Sequence, residues 1–243
     1  MFDTKLKTSE YINLTVTHDC TRRCLFCVDR YRGSGEMVSL DAVHRVAAFA
    51  SRRGIKDILI TGGEPTLHPD IVEIVKIVKK YGLRVIMTTN YDRPNVFEKL
   101  DGIVDCFNIS FYNQALLPKQ KETRSDITIH ALIYDEQLET QEKLDRFIDR
   151  YHHYGHLKFS TLTPCNAWTT EHQHVSYLDD LECEWIVLFN EMLAQVYRGV
   201  VIKRYDRIIS RNASQSYKAH VDGTITKSWD RERTSTLSAK AKV

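Results

Sequence analysis

Residues 57–65 read Asp57-Ile-Leu-Ile-Thr-Gly-Gly-Glu-Pro65. The first five are apolar or β-branched, too short for a helix and too apolar for a surface strand, and the glycine pair ends them. Capped helices are expected on both sides of this strand. Upstream, Ser39 can cap a helix whose Leu40, Val43, Val46, Ala47 and Ala50 recur at helical spacing, with Arg52 and Arg53 at its end and Gly54 beyond. Downstream, Pro69 opens a second helix. It carries Asp70 and Glu73 in its first turn, Ile71, Ile74, Val75 and Val78 on one stripe, Lys79 and Lys80 in its last turn, and Gly82 as its stop. A buried strand between two such helices is the repeating unit of a parallel α/β sheet.

Working outward, Tyr11–Thr17, Leu83–Thr89, Val104–Phe111, Asp126–Tyr134 and residues 156–163 read as five more strands. Pro94–Leu100 and a stretch carrying Leu144, Phe147, Ile148 and Tyr151 read as further helices. Six strands with mostly helical crossovers fit either an open doubly wound sheet or a barrel two units short of eight, and order alone does not separate them. After Pro164 the pattern changes. A polar loop is followed by a long helix carrying Trp185, Leu188, Phe189, Met192, Leu193 and Val196, then by two or three short strands, with a hairpin from Tyr217 to Trp229 turning on Asp222-Gly223. The expected organisation is a core over residues 1–165, a helix and short strands over 166–233 that cover the active site, and a flexible basic tail over 234–243.

With 243 residues, 42% hydrophobic and 27% charged, the chain has the composition of a folded globular protein and enough length for a sizeable core. Its net charge of +2 excludes a polyanion binder along the whole length, but it hides an asymmetry. From Val201 onward there are ten Lys or Arg against four Asp or Glu, a balance of +6, which leaves residues 1–200 at −4. The N-terminus lacks an apolar signal core and no apolar run approaches the roughly 18 residues of a membrane span. A cytoplasmic, reducing location follows as the expectation.

Three of the six cysteines fall within eight positions, as Cys20-Thr-Arg-Arg-Cys24-Leu-Phe-Cys27. Thiols so clustered in a reducing compartment bind metal or do chemistry. Two readings are open from the spacing: zinc completed by His18 or another side chain, or an iron–sulfur cube with three protein ligands and one open iron. Cys106, Cys165 and Cys183 stand far apart and read as bystanders, Cys106 in a strand and Cys183 in a helix, with Cys165 able to reach the mouth of the fold. His130, His172 and His174 are further polar candidates. Trp168, Tyr177, Tyr217 and Trp229 could stack a flat substrate, or Tyr217 and Trp229 could pack the terminal hairpin.

The cysteine triad, with an aromatic residue at Phe26, and the TGGEP segment after the second strand together resemble the radical S-adenosylmethionine (SAM) family. The resemblance covers about residues 11–165 and implies a partial (β/α)6 TIM-type barrel with a small C-terminal α+β extension. It implies a [4Fe–4S] cluster on Cys20, Cys24 and Cys27, with Gly62, Gly63 and Glu64 receiving the amino group of SAM. A glycine pair without Cβ atoms suits close approach of its carbonyls to that ligand, and Glu64 adds negative charge. Thr89 and Asn90 look like the family's TN(G) segment, with Tyr91 in place of the usual glycine, and Ser110 looks like the strand-4 serine that approaches SAM.

The implied activity is reductive cleavage of SAM to a 5′-deoxyadenosyl radical that abstracts hydrogen from a small-molecule or nucleotide substrate. The implied partner is a flavodoxin- or ferredoxin-like electron donor, which Arg22 and Arg23 could attract. The lack of a peptide-binding extension before residue 11 and of a cysteine-rich domain after residue 165 directs this expectation away from peptides. Two alternatives remain at this point. One is radical modification of a macromolecule, either a nucleic-acid base approached by the basic C-terminal segment or a glycyl-radical enzyme. The other is a non-enzymatic iron–sulfur or zinc protein, which leaves the GGEP loop unexplained.

Overall fold

The computed structural model describes residues 10–29, 33–112, 117–187, 192–208 and 216–227. It divides into two compact units, one of residues 1–21, 31–107 and 213–243 and the other of residues 22–30 and 108–212.

In the first unit, β1 (Tyr11–Thr15), β2 (Asp57–Thr61) and β3 (Arg84–Thr89) pair in parallel, Tyr11 beside Asp57 and Asp57 beside Arg84. The connections are α1 (Leu40–Arg52) and α2 (Ile71–Lys80), followed by α3 (Pro94–Leu100) after β3. Ser39 caps α1 as its position predicts, its hydroxyl accepting from the Ala42 N–H at 3.2 Å. The stripes Ala42, Val43, Val46, Ala47 and Ala50 of α1 and Ile71, Ile74, Val75, Ile77 and Val78 of α2 are buried, as are Ile12, Leu14, Ile58, Ile60, Val85 and Met87 on the strands. This apolar layer holds the strand ends, and the loops that leave them, in fixed positions.

The C-terminal strands β10 (Ser216–Ala219) and β11 (Ile225–Thr226) complete this unit, β10 lying parallel to β1 with Tyr11 beside Ser216. They are antiparallel to each other across the expected Asp222-Gly223 turn, where Gly223 has φ 83° and Asp222 accepts from the Thr224 N–H at 2.9 Å. Tyr217 is core: it is 2% exposed and meets Phe49 of α1 edge-on at 5.6 Å. Trp229 and the expected tail over 234–243 lie outside the described residues.

The second unit pairs β5 (Asp126–Ile133), β6 (His156–Thr161) and β9 (Val200–Ile208) in parallel. The helix α4 (Gln141–Tyr151) connects β5 to β6, capped by Thr140, and buries Leu144, Phe147 and Ile148. Rings of Phe111, Phe147, Tyr151 and Phe159 interlock beneath the strands, with Phe111 and Phe147 at 4.7 Å. Of β4 (Cys106–Ser110), the first two residues belong to the first unit and the last three to the second. The chain is of the α/β class, and β1 to β6 follow the strand and helix order of a partial (β/α)6 TIM-type barrel.

The long helix expected through Trp185 and Val196 does not form. Glu184–Val187 is β7 and Met192–Tyr197 is β8, an antiparallel pair with Trp185 opposite Gln195, and Cys183 precedes β7 outside any helix. Residues 185–189 are apolar at every position, so periodicity cannot distinguish the two states, and the β-branched and aromatic content decides for strand. The extension is thus a strand addition, β9 joining β6 and β10 joining β1, with two short helices, α5 (Ala167–Glu171) and α6 (Tyr177–Asp180), in the loop before it.

If β10 is seated by Tyr217, Tyr217→Ala should cost about 3 kcal/mol in urea unfolding. A loss under about 1 kcal/mol would contradict the packing of this strand on α1.

Candidate active site

Two loops leave adjacent parallel strands of the first unit at the same end, Thr15–Thr21 from β1 and Thr61–Glu64 from β2. They are bonded to each other along their backbones. The Gly63 N–H donates to the Thr17 carbonyl at 2.8 Å and the Glu64 N–H to the Asp19 carbonyl at 2.7 Å. The glycines make this possible. A Cβ on Gly62 would lie 2.3 Å from the Thr17 oxygen, and one on Gly63 2.1 Å from the Asp19 oxygen. Sequence reasoning assigns the missing side chains to a ligand, but their space is taken by the chain that leads into Cys20.

Glu64 is 1% exposed, and its carboxylate is held by the protein. One oxygen accepts from the Thr66 N–H at 3.1 Å and from the hydroxyls of Thr66 and Thr89, each at 2.7 Å; the other accepts from the Asn90 N–H at 2.7 Å. Burial pushes its pKa above the usual carboxylate range, and the bonds from Asn90, Thr66 and Thr89 oppose that rise. Thr89 and Asn90 therefore meet the candidate loop through Glu64, at the end of β3. The Asn90 amide also donates to the Thr21 hydroxyl at 2.8 Å, which donates to Asp92 at 2.7 Å. Cys20 is thus bracketed by Asp19, bonded to the β2 loop, and Thr21, bonded to the β3 loop.

Tyr91 has φ 59°, the left-handed conformation that glycine adopts without cost, and its ring meets Phe97 edge-on at 5.0 Å.

Cys24 and Cys27 belong to the second unit. The Cys27 N–H donates to the Cys24 carbonyl at 3.3 Å, a turn that sets the second cysteine pair. Phe26 stacks on Tyr112 with centroids 5.9 Å apart and planes 8° apart, and lies 6.1 Å from Tyr134. The Arg22 guanidinium covers the other partner in that stack, 4.3 Å from the Tyr112 centroid. Trp168 meets Tyr134 edge-on at 5.7 Å and stacks on His172 at 4.3 Å, so His172 is part of an aromatic wall. Burial, then Glu136 and the Cys24 sulfur, raise the Tyr134 pKa, keeping that phenol neutral. Ser110 ends β4 in the same unit.

The loop after β6 holds the cysteine loop from behind. The Cys165 thiol lies 3.8 Å from the Cys27 carbonyl, and the Asn166 amide donates to the Leu25 carbonyl at 3.0 Å. Asn166 also caps α5, its oxygen accepting from the Thr169 N–H at 2.8 Å. Thr21, Thr66, Tyr112, Tyr134 and Asn166 are contributors that motif reading missed. Of these only Asn166 carries a local signal, the Asn-x-x-Thr capping pattern; the others are defined by long-range contacts.

The donor set suits a thiophilic iron–sulfur cluster. Cys20, Cys24 and Cys27 are half-buried thiols within one short loop, and none of the six cysteines is in a disulfide. Among the described residues no three His, Cys, Asp or Glu side chains are already gathered as metal ligands, and no helix is long and apolar enough to cross a membrane.

The family model described as the radical SAM superfamily matches residues 14–118, from β1 through both motifs to the loop after β4. Over those residues the chain is similar to the radical SAM superfamily. Members of this family use a [4Fe–4S] cluster and SAM. Among curated relatives, a probable GTP 3′,8-cyclase of Thermococcus kodakarensis is 39% identical over 85 residues, 34% of this chain and 27% of that protein. One of Sulfolobus acidocaldarius is 37% identical over 108 residues, 43% of this chain and 34% of that protein. The chain therefore matches about a third or less of the length of these relatives. Among solved structures, Streptococcus suis SuiB bound to its precursor peptide SuiA superposes with a TM-score of 0.62 at 14% identity, covering 90% of this chain and 60% of that one. SuiB bound to S-adenosylmethionine gives 0.59 at 13% identity, covering 91% and 61%. At these identities the likeness is one of fold.

A methyl group on Gly63 has no room beside Asp19. Gly63→Ala should lower the thermal midpoint by several degrees and reduce the iron bound per chain after anaerobic reconstitution. Unchanged midpoint and iron content would contradict the seating of the Cys20 loop on this glycine.

Proposed function

We propose that the chain is a radical SAM enzyme acting on a small-molecule or nucleotide substrate, with Cys20, Cys24 and Cys27 holding its single [4Fe–4S] cluster. When bound, that cluster supplies one electron to the sulfonium of SAM, which releases methionine and a 5′-deoxyadenosyl radical able to take a hydrogen atom from a substrate C–H bond. An external one-electron donor, of the flavodoxin or ferredoxin kind, supplies that electron.

The observation that carries this reading is the pair of backbone bonds joining the GGE loop to the approach to Cys20. They support one shared site for a cluster ligand and a SAM-binding loop, which an isolated zinc site would not need. Gly62 and Gly63 are assigned to the α-ammonium of SAM through their backbone carbonyls. Glu64 is assigned chiefly to fixing that loop, since its carboxylate oxygens already accept from Thr66, Thr89 and Asn90. Thr89 and Asn90 complete the support. Ser110, the last residue of β4, is assigned to SAM binding by its likeness to the family's strand-4 serine. Phe26, Tyr112, Tyr134 and Trp168 form an aromatic wall at the loop that carries Cys24 and Cys27, a surface suited to sheltering a radical from water. The names of the curated relatives, GTP 3′,8-cyclases, support a nucleotide as the substrate class.

Anaerobically reconstituted protein, reduced with dithionite and given SAM, should release 5′-deoxyadenosine, and Cys24→Ala should abolish that release. A colourless zinc protein inert to SAM would overturn the reading.

A further inference from the structure

Within the second unit, β5, β6 and β9 place four polar side chains on one face. The register sets His130 of β5 beside Lys158 of β6, and Ser160 of β6 beside Lys203 of β9. Register partners point to the same side and residues two apart share a face, so all four project together. The opposite face carries Ile129, Ala131, Phe159 and Ile202, all fully buried. The polar face is thus the one turned away from the apolar core.

The groups on that face are in contact. His130 Nε2 lies 2.8 Å from the Ser160 hydroxyl. Burial, followed by the charges of Lys158 and Lys203, lowers the His130 pKa to about 3, so this imidazole is neutral at any working pH. Lys203 is lowered to about 7, first by burial and then by the charge and hydrogen bond of Lys158. From β8, the residue in register with Lys203 is Ala194, which adds no charge. Two amines have therefore been brought together in a partly desolvated place, where the second positive charge is held at a cost.

We propose that Lys158 and Lys203, with His130 and Ser160 beside them, form a binding site for an oxyanion, a phosphate or carboxylate group of the substrate. An anion between the two amines offsets both the repulsion and the desolvation and takes charge-assisted hydrogen bonds from each. The position suits a substrate. Lys158 lies three residues before the end of β6, about 10 Å of strand, and beyond that end the Cys165 thiol meets the Cys27 carbonyl of the cysteine loop. An anionic tail held by the lysines would leave the body of the molecule extending along the strands toward that loop. The oxyanion site stands on the strand register and on the burial of the Lys203 amine, while its assignment to the substrate rests on the radical SAM reading.

The site predicts a proton balance that a nucleophilic or purely structural lysine does not. Near pH 8 an amine titrating around 7 is about nine-tenths neutral. An arriving anion raises its pKa, so binding should be accompanied by proton uptake. The test is calorimetric titration of the full-length, cluster-reconstituted protein at pH 8, in two buffers of different ionisation enthalpy. Inorganic tripolyphosphate is the phosphate probe and citrate the carboxylate probe. At least one should bind with proton uptake, and the stronger of the two identifies the anion. Lys203→Met should weaken it about tenfold or more, and Lys203→Arg should keep binding but lose the proton uptake. Binding of neither probe, or binding with proton uptake unchanged in Lys203→Arg, would overturn the proposal. Release of 5′-deoxyadenosine by the unmodified protein tests the radical SAM reading separately, so either can fail without the other.

Discussion

The arrangement of the first unit depends on a close approach between two backbones. Gly62 and Gly63 let the end of β2 lie against Thr17–Asp19 at a distance that a single Cβ on either residue would forbid. The resulting bonds, Gly63 to Thr17 and Glu64 to Asp19, convert two separate strand-end loops into one rigid piece. Everything proposed about the site follows from that rigidity. Cys20 is fixed because the residue before it is bonded to the GGE loop, and the residue after it is bonded through Asn90 to the end of β3.

Glu64 extends the same constraint. A buried carboxylate is expensive unless its oxygens are met by donors, and here β3 supplies two of them, the Thr89 hydroxyl and the Asn90 N–H. One side chain thereby ties the β2 and β3 loops together, and no water need enter to satisfy it. In the second unit the cysteine loop is held by different means, by aromatic stacking of Phe26 and by the amide of Asn166. Aromatic packing tolerates small shifts of the ring better than hydrogen bonds tolerate shifts of their partners. The two ends of the cysteine loop thus differ in how closely they are fixed.

Much of the fold was legible because its signals are local. The 57–61 strand, the Ser39 cap, the 94–100 helix and the Asp222-Gly223 turn each depend on a few adjacent residues, and each formed where expected. The failure at 184–197 came where five consecutive apolar residues erased the period, so that only the pairing of β7 with β8 could decide. In the site, the triad and the GGE segment were visible as motifs, but the physical role of the glycines was not, since it depends on a backbone more than forty positions away. Tyr91 shows the converse case. The residue departs from the familiar glycine while its backbone keeps glycine's left-handed conformation, which the letter alone could not reveal. The lysine pair was invisible for a third reason, since Lys158 and Lys203 are joined only by the parallel pairing of β6 with β9.

The central claim is that the cysteine loop and the GGE loop serve one site, where a single cluster and SAM meet. Electron paramagnetic resonance of the anaerobically reconstituted, dithionite-reduced protein tests it directly. The account predicts the signal of one reduced [4Fe–4S] cluster that shifts on addition of SAM, with the shift lost in Gly63→Ala. A reduced-cluster signal indifferent to SAM, or a protein that takes up zinc and gives no signal, would contradict it.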